Sequence, residues 1–309
     1  MDHFSNKVFI IHNPLSGTRR TRKRFRKWLN LSTTAGLNFE HITVSKRTQI
    51  RVFLDNRIED FPITIILAGG DGTLNVWLNE TIKSHSAMLP HIRWCIFPCG
   101  TGNDWAHAQG ISGDPIRWFE NMRNSRIIDV DCGLIHYMEN DHENKAYFIN
   151  VAGAGLDGMI IKKMQSSRIS GKLSYLYEAF RALLKKPVWN VELKIDGERE
   201  QVKSNMILAG LSSSFGGGIK LTPHCKKGIL ALSVVNNLGV WDMFRYLPYI
   251  FDGSVDKMSK IEMRHCHILE VKSLSNPHAF YLEADGEYIG SGQMQIRIAP
   301  LSLHFILPV

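Results

Sequence analysis

Five residues, Gly69-Gly70-Asp71-Gly72-Thr73, follow directly after Ile63–Ala68, a run that is apolar but for Thr64. A strand that apolar is expected to be buried on both faces, as in a parallel sheet covered by helices. Open sheets of this kind bind ligands at the carboxyl ends of their strands. Glycines there let the backbone turn tightly and aim N–H groups at phosphate oxygens. The helix predicted next, Leu74–Lys83, would start with its positive dipole end beside that phosphate. Thr73 adds a hydroxyl donor, and Asp71 puts a carboxylate where a metal–phosphate complex would sit. Read alone, the same residues also suit a plain strand-to-helix turn with Asp as a cap.

The pattern recurs. Ile92–Phe97 reads as a strand and runs into Pro98-Cys99-Gly100-Thr101-Gly102-Asn103-Asp104. Lys7–His12 reads as a strand and ends in Asn13-Pro14-Leu15-Ser16-Gly17, before a basic helical stretch to about Leu31. Phe39–Val44 reads as one more strand. Alternating strands and helices imply parallel βαβ units. Polar turns after several such strands argue for a nucleoside triphosphate over an isolated phosphate. None of them is a Walker A loop or a dinucleotide fingerprint.

Beyond about Asp129 strands dominate: Tyr147–Ala152, Val188–Asp196, Met206–Leu211, Ile229–Val235, Ile268–Val271, Ala279–Ala284, Met294–Ala299 and Leu303–Leu307. Asp196-Gly197 and Asp285-Gly286 read as tight hairpin turns. Helical patches are expected near Ser174–Leu184 and Trp241–Phe251, the second mainly as core, with an acyl-pocket lining as the alternative. The fold expected is an α/β nucleotide-binding domain with a three-layer parallel sheet, then a β-rich, antiparallel, sandwich-like domain. A length of 309 residues suits two domains of roughly 150 residues each.

Hydrophobic residues at 44% and charged residues at 21% exclude a disordered chain, a collagen and a coiled coil. Lysine and arginine number 37 against 29 acids, a net charge of +8, which favours anionic partners. The charge crowds one segment, Arg19, Arg20, Arg22, Lys23, Arg24, Arg26 and Lys27, with Phe25 and Trp28 interleaved. Contact with an anionic membrane surface, service to nearby phosphates and a solvated helix face all fit this segment. Nucleic acid is not an expected partner, because no binding motif accompanies the charge. No apolar run reaches the roughly 18 residues of a spanning helix, and MDHFSNKVFIIHNP lacks the pattern of a cleaved leader. The five cysteines are scattered without a Cys-x-x-Cys pair, so reduced thiols and a cytoplasmic location are expected. His265-Cys266-His267 reads as structural, since alternate side chains of a strand point to opposite faces.

Asn-Pro-x-Ser-Gly, Gly-Gly-Asp-Gly-Thr and Pro-x-Gly-Thr-x-Asn-Asp, in that order, resemble the diacylglycerol kinase catalytic-domain family. The likeness is strongest to its soluble bacterial lipid kinases, relatives of sphingosine and ceramide kinases. It continues through Asn150–Asp157, the run Gly216-Gly217-Gly218-Ile219-Lys220 before Pro223, and Asp285-Gly286-Glu287. NAD kinases share the Gly-Gly-Asp-Gly-Thr loop but not the Gly-Thr-x-Asn-Asp and late Asp-Gly-Glu signatures.

The resemblance implies a site in a cleft between the domains and final strands that return to the first one. The expected domains are therefore 1–130 with 300–309, and 131–299. ATP contacts are implied for Asn13, Ser16, Gly17, Thr43, Gly70, Asp71, Gly72, Thr73 and Thr101. Asp71 and Glu287 are the implied catalytic acids, with Glu287 accepting the proton of the acceptor hydroxyl. Asp131, with Asp129 two residues before it, Asp104 and Asp285 are the further candidate acids for magnesium or the active site. The implied reaction passes phosphate from ATP, with magnesium, to a lipid such as diacylglycerol.

Two positions depart from the family pattern. Val76 stands where a glutamate is usual, and Glu80 one turn on is the candidate replacement. Lys226-Lys227-Gly228 stands where relatives carry an aspartate for a structural magnesium, so no structural metal is expected, with Lys227 as a candidate charge substitute. These departures keep a weakly catalytic lipid- or nucleotide-binding relative in view, and NAD kinase as a lesser alternative. Oligomeric state is left open, a homodimer included.

Overall fold

In the computed structural model, residues 4, 6–57, 60–139, 142–167, 172–185, 187–212, 218, 220 and 222–308 are described. Gly216, Gly217 and Ile219 of the glycine run lie outside them. The chain divides into two units, Met1–Val130 with Leu301–Val309, and Asp131–Pro300.

The first unit runs β1 (Lys7–His12), α1 (Arg19–Thr34), β2 (Phe39–Thr43), α2 (Arg47–Asp55), β3 (Ile63–Gly69), α3 (Asp71–His85), β4 (Ile92–Pro98), α4 (Asp104–Ala108), α5 (Pro115–Arg123) and β5 (Ser125–Val130). One sheet in the order β2-β1-β3-β4 is parallel throughout and is extended by the last strand of the chain (Leu303–Pro308) and then β5. That last strand is parallel to β4 and antiparallel to β5, and its Phe305 packs on Trp105 with ring centroids 4.5 Å apart. Every residue of β3 is buried. The seven apolar or small residues Ile63–Gly69 therefore have helices on both sides to cover them.

Helix α1 starts at Thr18, whose hydroxyl accepts the Thr21 N–H, while the Thr21 hydroxyl accepts the Thr18 N–H at 2.7 Å. Phe25 and Trp28 do not join its basic row at the surface. Both are buried, and Trp28 stacks on Phe97 at 4.5 Å and meets the edge of Trp118 at 5.1 Å. Helical periodicity turns the two aromatic residues inward and leaves Arg19, Arg20, Arg22, Lys23, Arg26 and Lys27 exposed.

The second unit runs β6 (Gly133–Glu139), β7 (His142–Phe148), β8 (Val151–Gly155), α6 (Leu156–Ser167), α7 (Lys172–Leu183), β9 (Trp189–Ile195), β10 (Glu198–Ser204), β11 (Met206–Gly210), β12 (Leu230–Val235), α8 (Val240–Asp252), β13 (Ile261–Cys266), β14 (Ile268–Ser273), β15 (Tyr281–Ala284), β16 (Glu287–Ser291) and β17 (Met294–Ile298); the closing strand of the chain is β18. Two antiparallel sheets form, β10-β9-β14-β17-β6-β7 and β13-β12-β11-β8-β15-β16. Val191, Leu193 and Ile296 of one sheet share a single core with Leu208, Leu232 and Leu282 of the other, which makes the unit a sandwich.

Both Asp-Gly turns are two-residue hairpins with left-handed backbone at each position, at φ +49° and +99° for Asp196-Gly197 and +49° and +79° for Asp285-Gly286. The strand expected at Tyr147–Ala152 is instead two, β7 and β8. The Ile149 and Asn150 N–H groups between them bond to the Asp285 carboxylate rather than to a neighbouring strand. Helix α8 is only half core: Met243 and Tyr246 are buried, whereas Trp241 is 85% exposed. All five cysteines are free thiols. No helix among the described residues is long and apolar enough to cross a membrane.

Candidate active site

In the first unit three loops meet at the carboxyl ends of β1, β3 and β4. The Gly70 and Gly100 backbones touch so closely that a Cβ on Gly100 would lie 2.4 Å from the Gly70 Cα, and a Cβ on Gly70 2.8 Å from the Gly100 Cα. A Cβ on Gly17 would strike the Cys99 carbonyl oxygen at 2.1 Å, and Gly17 has φ +71°. Only glycine satisfies both demands. Asn13 ties the first loop to the second: its Nδ2 donates to Thr73 Oγ1 at 3.2 Å. Its Oδ1 accepts the Leu15 N–H at 3.0 Å, which shapes the turn that carries Ser16 and Gly17.

The loop after β4 is held by Asn103, at φ +59°. Its side chain brackets Gly100, accepting the Gly100 N–H at 2.8 Å and donating to the Gly100 carbonyl at 3.1 Å. Thr101 is left exposed on the outside of this bracket. Thr43 ends β2 opposite His12 and is exposed. Gly72 is exposed in the first turn of α3, next to buried Thr73. Asn13, Ser16, Gly17, Gly70, Asp71, Gly72, Thr73 and Thr101 thus belong to one set of interlocked loops, with Thr43 on the strand beside β1.

Asp71 does two jobs there. Its carboxylate accepts the N–H groups of Asp104 and Trp105, both at 3.0 Å, and so caps α4. It also faces Asp104 over Gly102: a Cβ on Gly102 would be 3.1 Å from Asp104 Oδ2 and 3.4 Å from Asp71 Oδ2. Two carboxylate oxygens above one glycine suit a magnesium ion that takes its remaining ligands from phosphate and water. No group of three or more histidine, cysteine, aspartate or glutamate side chains among the described residues forms a complete protein cage.

The candidate replacement for the missing glutamate at Val76 does not face these loops. Glu80 is buried and accepts from Arg51 Nε of α2 at 2.8 Å, so it serves the α2–α3 contact. Asp129 is likewise occupied, its carboxylate accepting from His304 Nδ1 of β18 at 2.6 Å.

In the second unit Glu287 starts β16 half-exposed, and its Oε2 accepts from Gln165 Nε2 of α6 at 2.8 Å. Asp285, two residues earlier, accepts the N–H groups of Ile149, Asn150 and Val151 at 2.8–3.1 Å. Its carboxylate thereby fixes the hairpin that presents Glu287. Asp131 Oδ2 accepts the Gly228 N–H at 2.6 Å, so the Lys226-Lys227-Gly228 segment meets this acid through backbone, with both lysines exposed.

A further acid pair lies under the hairpin. Asp157 and Glu283 are both buried, and a Cβ on Gly153 would fall 3.0 Å from Asp157 Oδ2 and 2.9 Å from Glu283 Oε1. Tyr175 donates to Asp157 Oδ1 at 2.5 Å, and Glu283 Oε2 accepts the Gly286 N–H at 2.9 Å. Burial, then repulsion by Asp157, pushes the Glu283 carboxyl well above the usual carboxylate range, and burial raises Asp157 too. A proton held between the two would supply the donor that Glu283 Oε1 otherwise lacks. Sequence reading missed this pair. A single glutamate on a strand has no signature, although Asp157 stood inside the run Asn150–Asp157.

Residues 7–135 match the diacylglycerol kinase catalytic domain, and residues 150–307 match the YegS C-terminal NAD kinase beta sandwich-like domain. A diacylglycerol kinase of Bacillus subtilis is 25% identical over 311 residues, covering 97% of this chain and 95% of that protein. One from Staphylococcus saprophyticus is 25% identical over 285 residues, covering 91% and 88%. A crystal structure of a diacylglycerol kinase from Bacillus anthracis has the same fold, with TM-score 0.67, 18% identity and coverage of 98% and 97%. Yeast NADH kinase complexed with NADH aligns at TM-score 0.51 and 10% identity, over 98% of this chain and 84% of that one.

Proposed function

Because the chain belongs to the diacylglycerol kinase catalytic-domain family, we propose that it transfers the γ-phosphate of ATP to a hydroxyl of a lipid acceptor such as diacylglycerol. The observation that carries this reading is the crossing of the Gly70 and Gly100 backbones. It brings the Ser16 and Thr101 hydroxyls and the start of α3 together on loops that can surround a polyphosphate.

Phosphoryl transfer is mostly positioning and charge neutralisation. The loops hold the phosphates, and Thr43 and Asn13 fix the nucleotide at its β1–β2 side. Asp71 and Asp104 are the residues that would hold magnesium, which supplies charge neutralisation when bound. The acceptor oxygen attacks the γ-phosphorus, the bond to the β–γ bridging oxygen breaks, and ADP leaves. The acceptor proton passes to Glu287, a carboxylate oriented by Gln165 and by the hairpin that Asp285 fixes. Asp131 stays a support for the Gly228 backbone in this scheme. The exposed basic row of α1 serves as electrostatic attraction toward an anionic membrane surface, on the inner face of the membrane for a cytoplasmic enzyme.

The test is to incubate the purified chain with labelled ATP, magnesium and a panel of lipid acceptors in mixed micelles, with NAD in parallel and Glu287→Gln as control. A labelled lipid that disappears in the variant supports the proposal and names the acceptor. Labelled NADP would move the chain to the NAD kinases. ATP binding without any labelled product would leave the non-catalytic relative.

A further inference from the structure

Helix α8 carries apolar residues on its solvent side as well as on its core side. Its buried positions are Met243 and Tyr246. Its exposed stripe, at i, i+3, i+4 and i+7, is Trp241, Phe244, Arg245 and Pro248. Trp241 is 85% exposed and Phe244 is 54% exposed, so the tryptophan and one phenylalanine of the helix lie on the solvent side. Single exposed apolar residues are ordinary, but these continue into a neighbour. The Trp241 and Phe244 rings are 6.4 Å apart, and Phe244 meets Phe180 of α7 edge-on at 5.9 Å. From Phe180 the patch runs along α7 to Tyr177 and Leu184, each 59% exposed.

Its exposed charges are mostly of one sign. Arg181 lies over the Tyr177 ring at 5.6 Å, Arg245 stands beside Phe244, and Lys185 follows Leu184; all three are exposed. The acids of the same helices are mostly paired, one of them with Arg181 of the patch itself. Glu178 is 12% exposed and paired with Arg181, and Asp242 is held by Lys260 at 2.6 Å and by the Gly239 N–H. Only Asp252, at the far end of α8, is an exposed acid, and it accepts the Ser254 N–H.

We infer that the α7–α8 face is the membrane-docking surface of the chain, with Trp241 and Phe244 entering the interface of an anionic phospholipid bilayer and Arg181, Lys185 and Arg245 meeting its headgroups. Aromatic rings with a polar edge favour the headgroup level, and basic residues around apolar ones add attraction to anionic lipid. The charge complementarity selects this occupant over a second copy, which would set the same arginines and lysine against themselves. The basic row of α1, with Phe25 and Trp28 buried, has no such apolar anchor. The inference rests on the lipid-kinase proposal for its purpose, but not for its test.

The test is sedimentation of the full chain with vesicles of phosphatidylglycerol in phosphatidylcholine, and of phosphatidylcholine alone, without ATP or acceptor. The expected result is binding to the anionic vesicles that falls about tenfold in Trp241→Ala with Phe244→Ala, and severalfold in Arg181→Gln with Arg245→Gln. Trp241→Phe should also remove a blue shift of tryptophan emission seen on adding vesicles. Unchanged melting curves, and turnover with a short-chain soluble acceptor, would show that each variant folds. Wild-type failure to bind, or a double aromatic variant that binds like wild type, overturns the inference. So does loss of binding only on charge reversal of α1, or a change from dimer to monomer with vesicle binding intact. Vesicle binding without turnover on any lipid would sink the kinase proposal alone.

Discussion

Asp71 Oδ1 accepts the Trp105 N–H at 3.0 Å, so the acid that follows β3 caps the helix that follows β4. Its other oxygen accepts the Asp104 N–H. The same carboxylate is thus a structural tie between two loops and one of the two acids proposed to hold magnesium. Asp71→Asn separates the roles, since the amide keeps an acceptor and the shape but loses the charge. The cap should weaken by about 0.5–2 kcal/mol in a urea melt. Turnover should fall by more than about a hundredfold if the charge acts on the transferring phosphate. A variant with near-normal turnover would reduce Asp71 to a cap.

The crossing of Gly70 and Gly100 gives a second test. Gly100→Ala places a Cβ 2.4 Å from the Gly70 Cα, against backbone that cannot swing aside. The loops must part, at a cost of about 1–3 kcal/mol of stability. ATP affinity by calorimetry should drop about tenfold or more, because the N–H groups no longer converge. Gly36→Ala is the control: it has φ +75° but nothing within 4 Å, so it costs backbone strain and leaves ATP binding alone. Equal effects on ATP affinity in both variants would mean the crossing is not what shapes the site.

Much of this was legible in the residues themselves. The loops after β1, β3 and β4 announce themselves by glycine, because backbone contact at van der Waals distance leaves no room for a side chain. The Asp-Gly hairpins are legible for a similar reason, each needing two residues at positive φ. What stayed hidden depends on partners distant in the chain. Ser125–Val130 is half polar and becomes β5 only because β18, about 175 positions on, lies beside it in register. Glu80 looked free to face the phosphates until Arg51 of α2 claimed it. Trp241 and Phe244 resembled core, since apolar residues at helical spacing do not reveal which side of the helix is covered.

The buried pair Asp157 and Glu283 predicts an unusual pH dependence. Glu283 is raised well above its ordinary value in the folded chain and returns to it when unfolded. The folded state therefore holds a proton that the unfolded state releases, and this contribution to stability falls as pH rises above the unfolded value of about 4.5. Glu283→Gln keeps an acceptor for the Gly286 N–H and a permanent donor toward Asp157, with no proton to lose. Its stability relative to wild type should rise steadily from pH 5 to pH 8 in parallel denaturant melts. A difference that stays flat with pH would mean that Glu283 holds no proton in the folded state.

Glu287 and Gln165 offer the sharpest test of the acceptor chemistry. Gln165 Nε2 donates to Glu287 Oε2 at 2.8 Å, which orients the carboxylate. Glu287→Gln cannot take the acceptor proton, so kcat should fall by about 10²–10⁴. The KM for ATP should hold, because the loops proposed to bind the nucleotide belong to the first unit. Both side chains are at least partly exposed, so melting should shift by less than about 0.5 kcal/mol. Gln165→Ala frees the carboxylate to rotate but leaves it basic, and about a tenfold loss in kcat is expected, with the acid limb of the pH profile retained. In Glu287→Gln that limb should vanish. A Glu287→Gln enzyme that works within a few fold of wild type, with the limb in place, would assign the proton to another group.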